Sequence, residues 1–220
     1  MKKIIFLLVL TSVIVSCKKK NSDDPSSVTP KWFATRQNAS DIATVSNGVA
    51  YLKTSNNGSQ SPNGLSLSSF NKLKGDFVIK LSFSSFSTSG ANSLSEWFTV
   101  GLSDQESVHP LVASILTNTE MYLEDNNVDY QVKSTTNREG EFYAKRVGAD
   151  FFTWCRVGSD TLRMDKLNYS TKDVSIFMNI TGMDNTATNT SIQIKDVLIS
   201  GGGGLLTTDT FDNNTISVIR

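Results

Sequence analysis

Alternation with a period of two, and no helical periodicity, is the feature that most constrains this chain. In Gly75-Asp76-Phe77-Val78-Ile79-Lys80-Leu81-Ser82-Phe83-Ser84 the odd positions Phe77, Ile79, Leu81 and Phe83 are apolar, and the even ones include Lys80, Ser82 and Ser84. Successive side chains of a strand point to opposite faces, so this run reads as a half-buried strand of an antiparallel sheet. Trp97-Phe98-Thr99-Val100-Gly101-Leu102 and Val174-Ser175-Ile176-Phe177-Met178-Asn179-Ile180 alternate in the same way. Ser191 to Ile199 begins as alternation and ends as an apolar run, which predicts a bulge near Lys195-Asp196. Turns rich in Asn, Gly and Ser separate these runs, and no segment beyond residue 16 keeps apolar residues at i, i+3, i+4 and i+7. About twelve to fourteen strands are expected, which makes the chain all-β, a two-sheet antiparallel sandwich or jelly roll. Ser, Thr and Asn make up 70 of the 220 residues, yet 38% hydrophobic content excludes full disorder.

The first residues follow another pattern. Met1-Lys2-Lys3 is positive, and Ile4 to Val15 is an apolar run too short to span a bilayer but suited to a secretory leader. It ends Ile14-Val15-Ser16-Cys17, which resembles the lipobox of bacterial lipoproteins. The resemblance implies cleavage before Cys17 and acylation of that residue. Two or three acyl chains, at about 0.8 kcal/mol per buried methylene, anchor a protein to a membrane. The expected divisions are a signal peptide at 1–16, a lipidated Cys17 with a polar tether to residue 30, a sandwich domain at 31–201, and a glycine joint with a C-terminal tail at 202–220. Absence of an Asp directly after Cys17 resembles outer-membrane sorting and implies a cell-envelope location, facing the periplasm or the surface. The tail, with Leu205, Leu206, Phe211 and Ile216 to Ile219, either returns to a sheet edge or stays loose.

Strand order and pattern over residues 31–201 resemble the concanavalin A-like lectin/glucanase superfamily, in particular laminin-G-like sandwiches of bacterial lipoproteins. The runs that carry the resemblance are Gly75 to Phe83, Trp97 to Leu102, Phe152 to Leu162, Val174 to Ile180 and Ile192 to Ser200. It implies two large sheets, one of them concave, and a surface for carbohydrate. The paired-acid string of glycanases on that fold, Glu-x-Asp-x-x-Glu, is absent. Glu120, Tyr122 and Glu124 share one strand face, and alternate residues there lie ~7 Å apart at the backbone. That spacing suits glycoside hydrolysis, which uses carboxyl pairs about 5 to 9.5 Å apart, so Glu120 and Glu124 are the candidate catalytic pair.

Alternation also sorts the aromatic residues. If Phe98, Val100 and Leu102 face the core, Trp97 faces out. If Met121 and Leu123 face in, Tyr122 faces out. If Phe151, Cys155 and Val157 face in, Trp154 and Arg156 face out. With Tyr143, these are the expected ligand-binding set, Trp97, Tyr122, Tyr143, Trp154 and Arg156, sharing one aromatic face. Aromatic rings cover the C–H surface of a sugar while polar groups take its hydroxyls. Asp125 and Asp129, and separately Asp184, stand in oxygen-rich loops that are candidate calcium ligands; no other cofactor is expected. Asp160-Thr161-Leu162 resembles a short bacterial O-glycosylation motif, which would modify Thr161. Cys155 reads as a small buried hydrophobe.

Basic and acidic residues balance at 21 each, and loss of two leader lysines leaves a net charge of −2. This argues against a nucleic-acid partner, which needs a basic stripe, and none is expected. The expected function is non-catalytic binding of a carbohydrate or another envelope ligand by a lipid-anchored sandwich. The alternatives are a glycan-cleaving enzyme using the carboxylate pair, and an accessory subunit that docks on an outer-membrane protein.

Overall fold

A computed structural model describes residues 31–54, 63–88, 96–104, 106, 109–126, 128–182, 189–204, 208–211 and 216–219. Within them the chain forms β1 (Trp32–Arg36), β2 (Ile42–Ser46), β3 (Val49–Lys53), β4 (Asn63–Ser69), β5 (Phe77–Ser87), β6 (Glu96–Ser103), β7 (Val112–Leu116) and β8 (Glu120–Asp125). There follow β9 (Asp129–Ser134), β10 (Gly140–Val147), β11 (Asp150–Val157), β12 (Asp160–Lys166), β13 (Ser175–Gly182), β14 (Ser191–Gly201) and β15 (Ile216–Ile219). They make two sheets, an eight-stranded one in the order β15-β1-β4-β13-β6-β7-β8-β9 and a seven-stranded one in the order β12-β11-β10-β5-β14-β3-β2. The chain is an all-β jelly-roll sandwich, and its pairings are antiparallel apart from β1 with β15.

The core is the space between the inner faces. Phe77, Ile79, Leu81 and Phe83 of β5 project into it from one sheet, and Phe98, Val100 and Leu102 of β6 from the other. Phe83 and Phe98 meet edge to face at 5.1 Å across the two layers. The register of β14 against β5 shifts between Ile194 and Asp196, at the expected bulge. Phe142, Ala144 and Arg146 are the inward positions of β10. The Arg146 guanidinium is buried there, donating from Nε to Gly75 O at 2.6 Å and lying 4.9 Å from the centre of the Phe77 ring.

At one side of the sandwich the sheet edges are joined by side chains. The Gln131 amide of β9 donates to Arg163 O at 2.7 Å and accepts from Arg163 N–H at 3.2 Å, as a strand backbone would. Lys133 pairs with Asp160 at 2.6 Å beside it. At the end of β14, Gly201 to Gly204 all have positive φ, which side-chain-bearing residues rarely adopt. A Cβ on Gly201 would lie 2.4 Å from Asp76 O, so this tight turn requires glycine. The chain then returns. Asp209 bridges to Val197, Phe211 is buried 6.3 Å from the Trp32 ring, and β15 pairs with β1.

Candidate functional site

Pairing registers fix which side chains share the outer face of the eight-stranded sheet. One lane across it runs Val132, Tyr122, Ile115, Thr99, Asn179 and Ser66. The next runs Tyr130, Glu124, Ala113, Gly101, Phe177 and Ser68. Apart from Phe177, the side chains toward the centre are small, and a Cβ on Gly101 would lie 2.4 Å from Val112 O. Bulk is added at one flank, where Trp97, Ile115, Thr117, Tyr122, Glu124 and Tyr130 line an open depression of about 490 Å³. Tyr130 is 68% exposed, and Trp97 and Tyr122 are half-buried.

The depression is polar as well as aromatic. Tyr122 Oη donates to Glu120 Oε2. That bond, with burial and the nearby Glu120 charge, pushes the Tyr122 hydroxyl up to about 12, so the ring presents a neutral phenol at physiological pH. Burial raises the Glu124 carboxyl above its usual range, opposed by His109 and reinforced by Asp125. At the centre of the face Asn179 Oδ1 is buried and has no hydrogen-bond partner among the described residues.

Not every expected site residue belongs here. Trp97 and Tyr122 share the depression, but Tyr143, Trp154 and Arg156 lie on the outer face of the other sheet, so the single aromatic face is two faces. Tyr143 and Trp154 are direct cross-strand partners, stacked at 5.1 Å with ring planes 5° apart. They line a second depression of about 310 Å³ with Lys145, Phe152, Arg163 and Asp165. Arg156 lies 5.9 Å from the Trp154 ring and pairs with Glu141 at 2.5 Å, and Lys80 pairs with the same carboxylate at 2.5 Å. Alternation distinguishes inside from outside in a sandwich. It does not say which of two outsides a strand presents, because that depends on long-range pairing.

The carboxylate pair is also corrected. Glu120 and Glu124 are four residues apart on β8, so their backbones are separated by roughly 14 Å at ~3.4 Å per residue. The ~7 Å spacing belongs to alternate residues, and the position between the two acids is Tyr122, which already engages Glu120. The candidate calcium loop at Asp125 and Asp129 is closed by a lysine instead: Lys166 Nζ lies 2.8 Å from Asp125 and 2.5 Å from Asp129. Asp125 Oδ1 further accepts from Asp129 N–H at 2.8 Å. Among the described residues no group of three or more His, Cys, Asp or Glu could hold a metal ion. Asp184 and Cys17 lie outside the described residues. Thr161 is exposed on β12, an edge strand. Cys155 is buried on the inner face, and burial pushes its thiol up to about 11.

Asn179, on the same outer face, is not among the residues the sequence marks for the site. Asn disfavours strands, so an Asn in an outward slot of so regular a run as Val174 to Ile180 was a usable signal.

No family model and no curated protein matches the chain. Solved structures do. A legume lectin-like domain from Entamoeba histolytica superposes with a TM-score of 0.52 at 8% identity, covering 79% of this chain and 91% of that one. Lectin II from Ulex europaeus gives 0.51 at 9% identity, over 78% and 95%. A family 7 alginate lyase in complex with substrate gives 0.51 at 11% identity, over 75% and 82%. At these identities the likeness establishes the fold, a concanavalin A-like sandwich shared by lectin-like proteins and polysaccharide lyases.

Proposed function

We propose that this chain is a lipid-anchored protein of the cell envelope that binds carbohydrate without cleaving it, in the depression on the eight-stranded sheet. The observation that carries the reading is the convergence of Trp97, Tyr122 and Tyr130 with Glu124 in one open hollow of about 490 Å³. Aromatic rings beside a few polar groups are what a pyranose needs. The separation of Glu120 from Glu124 favours binding over hydrolysis by that pair. The tail is used inside the fold, with Phe211 buried and β15 paired, which weighs against a tail offered to another protein. The anchor rests on the leader and on Ile14-Val15-Ser16-Cys17.

A glycan array probed with the chain lacking residues 1–20, followed by titration calorimetry, tests the binding. Trp97→Ala should weaken any affinity found by about tenfold or more, since burying one large apolar side chain is worth ~1.5–3 kcal/mol. Trp154→Ala should leave it intact, and the opposite result would move the site to the other sheet. Membrane fractionation with lipid labelling checks the anchor, which Cys17→Ala should abolish.

A further inference from the structure

We infer that the depression on the eight-stranded sheet selects glycans that carry hydrogen-bond donors and no acid groups, with an amino sugar preferred beside Glu124. This rests on the carbohydrate-binding reading of that site.

Charge segregates between the two outer faces. Among the described residues, no outward position of β1, β4, β13, β6, β7, β8 or β9 is Lys or Arg, and β15 contains neither. The strand carboxylates on this face are Glu120 and Glu124, on β8. His109, exposed and beside Glu124, is the one imidazole in the chain. Segments 89–95 and 183–188, which adjoin β6 and β13 in sequence, contain no Lys or Arg. The outward positions of the seven-stranded sheet hold Lys53, Lys80, Lys145, Arg156 and Arg163 instead.

The consequence for a ligand is direct. Glu120 and Glu124 are acceptors when ionised. A sugar bringing hydroxyl or ammonium donors satisfies them. A uronate or sulfate would lie against two carboxylates on strands that, among the described residues, present no outward Lys or Arg, and a charge stripped of water without a partner is heavily penalised. An ammonium against Glu124 forms a charge-assisted hydrogen bond, the strong kind.

The test uses the acylated protein in detergent at about 0.15 M salt, where long-range attraction is screened beyond ~8 Å. An array of neutral glucans and mannans, chitosan oligomers and oligogalacturonates is probed with wild type, Trp97→Ala and Tyr130→Ala. Tyr130 is 68% exposed, so its truncation reports on the site without endangering the fold. Chitosan or neutral glycans should bind in a manner that both substitutions weaken, and oligogalacturonates should not. Glu124→Gln should lower chitosan affinity about tenfold or more and neutral-glycan affinity by less than about threefold. Oligogalacturonate binding as tight as neutral binding, and dependent on Trp97 and Tyr130, overturns the charge selection but leaves the carbohydrate reading standing. Absence of any binding that depends on these two residues overturns both.

Discussion

Asp209 closes the tail onto the sandwich, and its replacement has a calculable cost. Its carboxylate is 3% exposed. It accepts from the buried Trp32 Nε1–H at 2.7 Å and from Phe211 N–H at 2.9 Å, with Lys31 Nζ at 3.8 Å. Hydrogen bonds to a charged group contribute about 1.5–3 kcal/mol each. Asp209→Ala removes both and strands the indole donor, while relieving some of the cost of burying a carboxylate. The net loss should be about 2–4 kcal/mol, or roughly 5–15 °C in Tm for a domain of this size. Trp32→Phe removes one of the two bonds from the other side. Urea unfolding of the two single variants and the double variant forms a cycle, and the contact predicts a coupling of about 1.5 kcal/mol. If the single effects add to within ~0.5 kcal/mol, the tail is not held by this contact and the account of the β1 edge is wrong.

Glu124→Gln should raise Tm at pH 7. Burial raises the folded-state pKa of this carboxyl above 4.5, so the neutral form is favoured in the fold; stability is full below about 4.5 and falls as pH rises through the raised value. The advantage of the variant should therefore vanish below about pH 4.5, and Tm measured for both proteins across that range checks it. Tyr143→Ala and Trp154→Ala should each destabilise by about 1–2 kcal/mol, with a coupling of ~0.5–1.5 kcal/mol in denaturant titration of the double variant. The Cys155 thiol should resist an aromatic disulfide reagent at about pH 8 in the folded protein and react in urea, because it is buried and held protonated.

Much of the fold was legible because each strand carries its own record of burial. Phe77 to Phe83, Trp97 to Leu102 and Ser175 to Ile180 lie in β5, β6 and β13 with the expected residues inward. Even the bulge near Lys195 left a trace, since an extra residue changes the phase of alternation. The site was half legible. Trp97 and Trp154 both read as outward, and both are half-buried on outer faces. What separates them is that β6 pairs with β7 and β13 whereas β11 pairs with β10 and β12, a fact of the assembled sheets. Arg146 shows another limit. Its inward position follows from the phase of β10, but its acceptor on Gly75 lies 71 residues away.

The parallel pairing of β1 with β15 also decides how the molecule responds to being pulled. Trp32 pairs with Ile216 and Thr35 with Ile219, so the two strands run side by side in one direction. A membrane tether before β1 and a load applied after β15 would draw them past each other along their length. Every hydrogen bond between them is then strained at once, where an antiparallel terminal pair would unzip bond by bond. Pulled in that way, the pair would be loaded in shear, the geometry that best resists force.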